Sequence, residues 1–209
     1  MPRKKDPWGD AVGTAPWAAV LRPAPGDLRI LQALLNTADA VAGTDDLGSP
    51  RALAGWLARW GLAAAEAEIG AAELERAIAL RDGLRALARA NVGLPLDKDA
   101  VAGLDRAAAA ATFRVRFVGL ATRVEPAVDG LDGAFARLVR IAARAREDGS
   151  WKRLKVCDNE ACGRSFYDFS RNGSGRWCVQ RCANLIKSRI YRRKNPGGRW
   201  PTLRKPRSS

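Results

Sequence analysis

The chain has 209 residues, 47% of them hydrophobic, with 36 Lys and Arg against 22 Asp and Glu, a net charge of +14 and no histidine. That much apolar content over that length is enough for a packed core in one or two domains and excludes a disordered chain. The missing histidine excludes a Ser-His-Asp triad, a Cys-His nucleophile pair and any His-ligated catalytic metal.

The charge is unevenly placed. From Trp151 to Ser209 there are 16 Lys and Arg against 3 Asp and Glu, whereas residues 1–150 carry 20 against 19. A near-neutral body followed by a basic module points to a polyanionic partner, nucleic acid before an acidic membrane. The amino-terminal MPRKKDPWGDAVG has no apolar run behind its positive charge, and no window approaches 18 uncharged apolar residues. The expectation is a soluble, cytoplasmic protein that does not enter membranes.

Residues 1–26 carry Pro, Gly and mixed charge without periodicity, which predicts a flexible arm, with Trp8 and Trp17 unplaced. Leu28, Leu31, Leu34 and Leu35 then form a short apolar stripe. Ser49 and Pro50 read as a cap and first-turn pair, and Leu53, Trp56, Leu57 and Trp60 recur at helical spacing until Gly61. A longer helix is predicted from Ala71 to Ala90, with Leu74, Ala77, Leu80, Leu84 and Leu87 on one face. Asp97 can cap another, ending near Ala111. The period then changes: Phe113, Val115 and Phe117 alternate with Arg114 and Arg116, predicting a half-buried strand with LATRVEPAV as its return. Leu131, Phe135, Leu138 and Ile141 restore a helix ending near Gly149. Residues 27–150 thus read as one mostly helical domain with a small hairpin. No phosphate loop, paired-carboxylate signature or nucleophile elbow is present in it.

All four cysteines lie in residues 151–195, spaced Cys157-x4-Cys162-x15-Cys178-x3-Cys182. Two short-spaced pairs separated by an excursion of this length suit four tetrahedral thiolates on one structural Zn²⁺. SFYDF can supply a strand and RNGSG a turn, and Gly163 lets the backbone bend sharply after Cys162. Cys178 and Cys182, one turn apart, open a helix with both thiolates on one face. Two disulfides, which need an oxidising compartment, and a redox pair, which prefers Cys-x-x-Cys, are the competing readings. Four thiolates would close the metal site, so the ion would organise rather than catalyse.

Treating residues 179–194 as a helix places Val179, Ala183, Ile186 and Ile190 on one face, where they can pack on Phe166, Tyr167 and Phe169. Arg181, Ser188, Arg189 and Arg192 lie opposite, flanked by Lys187, Arg193 and Lys194. Such a helix suits a DNA groove or a run of phosphates, and arginine adds bidentate geometry. Asp158 and Glu160, in the first cysteine turn, are expected to face away from phosphate. Residues 196–209 read as a flexible basic tail.

FYDFSRNGSGRWC, with the C-x4-C before it and Cys-Ala-Asn-Leu plus a basic helix after it, resembles the CGNR-type zinc finger. LLNTADAV, LGSPRALAGWL, ALRDGLRALARA and the WKRLKVC junction resemble the helical ABATE domain that precedes this finger in bacterial proteins described as stress-induced transcription regulators. The likeness runs from about Leu28 to Lys194. It implies a mainly α (α+β) fold, a treble-clef-like hairpin-plus-helix module, and Cys157, Cys162, Cys178 and Cys182 as ligands of one zinc. Arg171, Asn172, Arg176 and Trp177 fall in the finger's signature. The naming tetrapeptide departs here: it reads Cys182, Ala183, Asn184, Leu185, without the glycine and arginine, and the second cysteine pair is one residue shorter. If the family's arginine contacts nucleic acid, either Arg181 or Arg189 replaces it or sequence readout is lost.

The expectation is therefore a non-enzymatic DNA-binding transcription regulator. Its nucleic-acid contacts would be Arg171, Arg176, Arg181, Lys187, Arg189, Arg192, Arg193 and Lys194, with the helical domain a homodimerisation body or a sensor for a small-molecule effector. The alternative is an adaptor whose basic helix binds RNA or an acidic protein. An enzyme site in the helical half would require Asp39, Asp45, Arg81 and Arg85 to converge on a pocket.

Overall fold

The computed structural model describes residues 21–63 and 68–196. Residues 1–20 and 197–209, hence most of the expected arm and basic tail, lie outside them. Among the described residues the helices are α1 (Leu28–Leu35), α2 (Pro50–Arg59), α3 (Ala71–Ala90), α4 (Lys98–Ala108), α5 (Gly130–Glu147) and α6 (Gln180–Lys194). Three antiparallel strand pairs accompany them: β1 (Ala38–Asp39) with β2 (Thr44–Asp45), β3 (Phe113–Val118) with β4 (Ala121–Pro126), and β5 (Leu154–Val156) with β6 (Ser165–Tyr167). The fold is mainly helical with small strand pairs, as the sequence predicts.

The helix boundaries follow from their caps. Ser49 is extended and its side chain accepts from the Ala52 N–H, with Pro50 in the first turn; Asp97 does the same for Ala100. α1 is buried on every side except at Arg29. Its buried Gln32 accepts from the Ala24 N–H at 2.6 Å. That bond holds residues of the expected arm on the core, where Leu21 and Ala24 are buried. α3 and α4 approach so closely at Gly83 that a Cβ there would lie 2.3 Å from the Leu104 Cβ.

One core runs through the whole body. Leu31, Leu34, Leu57, Leu80, Leu84, Phe135 and Leu138 of the helical half join Trp151, Leu154, Val156 and Phe166 of the cysteine-bearing half. Polar links cross the same seam. The Asn36 side chain donates to the Ser165 carbonyl (2.9 Å) and accepts from its N–H (2.8 Å). Asn91 donates to the carbonyls of Trp151 and Leu154, both at 2.8 Å. Arg85 donates to the carbonyls of Leu35 and Gly163. Asp39 pairs with Arg164 at 2.9 Å, while Arg81 pairs with Asp45 at 2.8 Å within the helical half. Asp39, Asp45, Arg81 and Arg85 are thus committed to structural links.

The β3–β4 hairpin forms in the expected place, but its strand is not half-buried. β3 is exposed along its whole length, with Phe117 at 80%. The alternation that predicts a covered face is present; among the described residues nothing covers it.

Candidate metal centre and nucleic-acid interface

The cysteines are set by two turns. β5 and β6 form a short hairpin whose connection carries the first pair: the Cys157 N–H donates to the Arg164 carbonyl, and the Asn159 carbonyl accepts from the N–H groups of Cys162 (2.7 Å) and Gly163 (3.1 Å). Gly163 sits at φ +57°, the left-handed region that favours glycine, and a Cβ there would also crowd the Arg85 guanidinium at 3.1 Å. The bend aims backbone N–H groups at sulfur: those of Asn159 and Cys178 at Cys157, and that of Arg164 at Cys162.

The second pair straddles a helix start. Val179 is the extended cap of α6, so Cys178 lies just outside the helix and Cys182 in its first turn. This differs from two thiolates on one helical face; the extended cap residue turns the Cys178 side chain toward the first pair.

The four sulfurs lie within 4.8 Å of one another, with Cys162 to Cys178 at 3.5 Å and Cys178 to Cys182 at 3.9 Å. A tetrahedron of sulfurs at the usual zinc–sulfur length has edges of about 3.8 Å. All four cysteines are free, and Cys157, Cys162 and Cys182 are buried. Without a cation the crowded thiols cannot all ionise together: hydrogen bonds with Cys157 and Cys178 favour the Cys162 thiolate, and Cys157 and Cys178 are pushed up in turn. A hydrogen bond with Cys162 is the main cause of the rise at Cys157, and one with Cys157 the main cause at Cys178. A divalent ion is what lets four thiolates coexist there.

A second buried cluster shapes the excursion between the pairs. Lys155 on β5 and Asp168 just after β6 form an ion pair at 2.8 Å with side chains 4% and 3% exposed. The Lys155 ammonium also donates to the carbonyls of Gly173 and Gly175, while Asp168 accepts from the N–H groups of Ser170 (2.9 Å) and Gly175 (2.7 Å). Burial alone would raise the Asp168 pKa, but these partners hold it well below the usual carboxylate range. A Cβ at Gly175 would meet the Asp168 carboxyl at 2.8 Å. Arg153 completes the scaffold by donating to the carbonyls of Asp168 (2.8 Å) and Ser170 (2.7 Å). Sequence reasoning singles out neither Lys155 nor Asp168. The available signal was a lysine between the apolar strand residues Leu154 and Val156, and an aspartate ahead of a glycine-rich turn.

α6 departs from the metal centre with only its beginning packed. Cys182 and Ala183 are buried and Val179 partly so, but Ile190 is 49% exposed and Phe169 is 42% exposed. Ile190 is thus half exposed rather than covered by the β5–β6 aromatics as expected. Phe169 instead meets Tyr167 edge to face and lies under Arg22, whose guanidinium is 3.9 Å from the ring centroid. The reason is length: a 15-residue helix extends about 22 Å, twice the reach of three-residue strands.

The expected contact residues separate into groups. Arg181, Arg189 and Arg192 line one groove on the outer face of α6 with Asn184, Leu185 and Ser188. All three arginines are exposed, and none is paired with a carboxylate among the described residues. Arg193 and Lys194 are exposed in the last turn, and the Lys187 ammonium lies 5.9 Å from the Trp177 ring centroid. Arg171 is exposed on the excursion. Arg176 is engaged by Asp158 at 2.9 Å, so Asp158 neutralises a neighbouring cation rather than simply facing away from the helix. In the departed tetrapeptide, Ala183 is buried beside the sulfurs, while Leu185 is 45% exposed at the groove where the family's arginine would stand.

No helix among the described residues is long and apolar enough to cross a membrane. No curated protein matches the chain. Residues 153–195 match the CGNR zinc finger, and residues 28–148 match the family described as "Putative stress-induced transcription regulator" (ABATE). With the four-sulfur geometry, the finger match gives the protein one structural Zn²⁺, held by Cys157, Cys162, Cys178 and Cys182, which fixes the turn, the hairpin and the helix start. The chain therefore belongs to the ABATE family and carries that family's domain ahead of a CGNR zinc finger.

Proposed function

We propose that this protein is a cytoplasmic transcription regulator that binds DNA through the exposed face of α6, without enzymatic activity, and that its helical half is the sensing or dimerising body. One observation carries the reading: Arg181, Arg189 and Arg192 share one solvent-facing groove on a helix whose base is fixed by the metal centre. Three unpaired guanidinium groups on one rigid face suit a line of phosphates or the guanine edges of a major groove. Arg193 and Lys194 extend the cationic face by another turn, and Arg171 adds a contact from the excursion. The helix is also rigidly referenced to the body, because the hairpin bearing the first cysteine pair shares its core.

The test is retardation of a random duplex DNA pool by the zinc-loaded chain, with RNA of matched length as competitor. Selection of a preferred duplex, poorly displaced by RNA, supports the reading. Retardation of neither nucleic acid refutes it, and preferential displacement by RNA replaces DNA with RNA as the partner.

A further inference from the structure

The β3–β4 ribbon belongs to the half proposed above as the sensing or dimerising body, and the inference drawn from it rests on the dimerising part of that reading. Its register sorts the side chains by chemistry: Phe113, Val115 and Phe117 share one face with Thr122, Val124 and Pro126, and Arg114, Arg116, Arg123 and Glu125 share the other. The apolar face is open to solvent, with Val115 at 56% and Phe117 at 80%, and is bounded on one side by a groove against Val139 and Ala143 of α5. A lone two-stranded ribbon is marginally stable, and an exposed apolar face of this kind marks an interaction site.

The free edge of β4 specifies the partner. The Ala127 N–H donates to the Thr112 carbonyl at 2.9 Å, so 112 and 127 are a hydrogen-bonded pair. Alternation along an antiparallel ladder makes Arg114 with Glu125 and Arg116 with Arg123 the next inward-bonded pairs. Thr122 and Val124 therefore turn both backbone groups outward, and Pro126 turns out a carbonyl alone. Among the described residues no third strand pairs with this ribbon. Such an edge is a template for another strand.

Charge selects which strand, and in which register. Pairing β3 with β3 of a second copy sets arginine against arginine wherever the charged positions oppose one another. Pairing β4 with β4 about Val124 sets Arg123 against Glu125 of the partner subunit, and Glu125 against Arg123 of the partner subunit. A slip to the next in-phase register either way sets Arg123 on Arg123 or Glu125 on Glu125, which is destabilising. The favoured register joins Val124 to Val124 by two backbone bonds and Thr122 to the Pro126 carbonyl at each end, so the missing proline N–H falls where the ladder stops. We propose that the chain forms a two-fold homodimer by this β4–β4 pairing, making a four-stranded sheet with one continuous apolar face.

The test is sedimentation equilibrium of the full zinc-loaded chain across the micromolar range, with circular dichroism and zinc content confirming that each variant is folded. Wild type is expected to be dimeric. Arg123→Glu and Glu125→Arg should each weaken dimerisation by about tenfold, since each replacement acts twice across the axis. The double variant Arg123→Glu/Glu125→Arg should restore it. A monomeric wild type, a dimer indifferent to both single reversals, or a double variant that remains monomeric would each overturn the proposal. So would a dimer abolished by Phe117→Ser but unaffected by the charge reversals, because that result places the contact on the apolar face.

Discussion

Replacing Lys155 with Met leaves the apolar stem in place and removes the ammonium from a pair whose two side chains are 4% and 3% exposed. The Asp168 carboxylate is then buried without its counter-charge, and the carbonyls of Gly173 and Gly175 lose their donor. Breaking a buried pair in this way costs about 3–5 kcal/mol, a large share of the roughly 5–15 kcal/mol that holds a domain folded. For a chain of this size each kcal/mol shifts Tm by about 2–4 °C, so Lys155→Met should lower it by roughly 6–20 °C. Residues 168–176 lead into Cys178, so zinc retention should fall as well. Removing both charges with Lys155→Met/Asp168→Leu should cost less than the sum of the single changes, because neither charge is then stranded. Thermal melts of the four proteins followed by circular dichroism, with zinc measured in each, complete the cycle. A Lys155→Met protein within about 1 kcal/mol of wild type, or strictly additive losses, would refute the reasoning.

The same carboxylate sets an acid limb. Its folded pKa lies below its ordinary value of 3.8, so the folded form binds fewer protons than the unfolded one. Its contribution to stability is complete above that value and declines as pH falls toward the depressed folded pKa; the difference between wild-type and Asp168→Asn denaturation curves should shrink over that interval, and a constant difference would contradict the assignment. Asn36→Ala leaves the buried Ser165 N–H and carbonyl without their side-chain partners, and should destabilise the protein by about 1–3 kcal/mol in urea. An unchanged midpoint would show that the Asn36–Ser165 link contributes nothing to holding the zinc hairpin on the helical half. Cys182→Ser should reduce bound zinc below half an equivalent by elemental analysis and loosen α6 from the hairpin; a full equivalent retained would remove Cys182 from the ligand set.

What the sequence discloses is what depends on short spacing. Ser49 and Asp97 announce helix starts and alternation in FRVRFV announces a strand, because each is fixed by residues within a turn or two of one another; the cysteine spacing announces a closed metal site because each pair is close-set and no other cysteine competes. What it conceals depends on partners distant in the chain. Asn36 and Ser165 are 129 residues apart, and Arg85 and Gly163 are 78 apart, so nothing local marks them as joining the two halves. Lys155 is hidden differently: a lysine in a basic module looks like surface charge until Asp168 and two glycine carbonyls converge on it. The arginine face of α6 is legible from helical periodicity, but its amphipathic pattern overstates the packing of Ile190, since periodicity does not report how far the neighbouring strands reach.

Whether the zinc-fixed arginine face meets polyphosphate is read from the salt dependence of DNA affinity. The logarithm of affinity should fall linearly with the logarithm of salt concentration, with a slope of about −0.9 for each phosphate contacted. Replacing Arg181, Arg189 and Arg192 together with Ala should make that slope shallower by up to about 3 while leaving zinc content and fold intact. An identical slope and affinity in the triple variant would contradict the account.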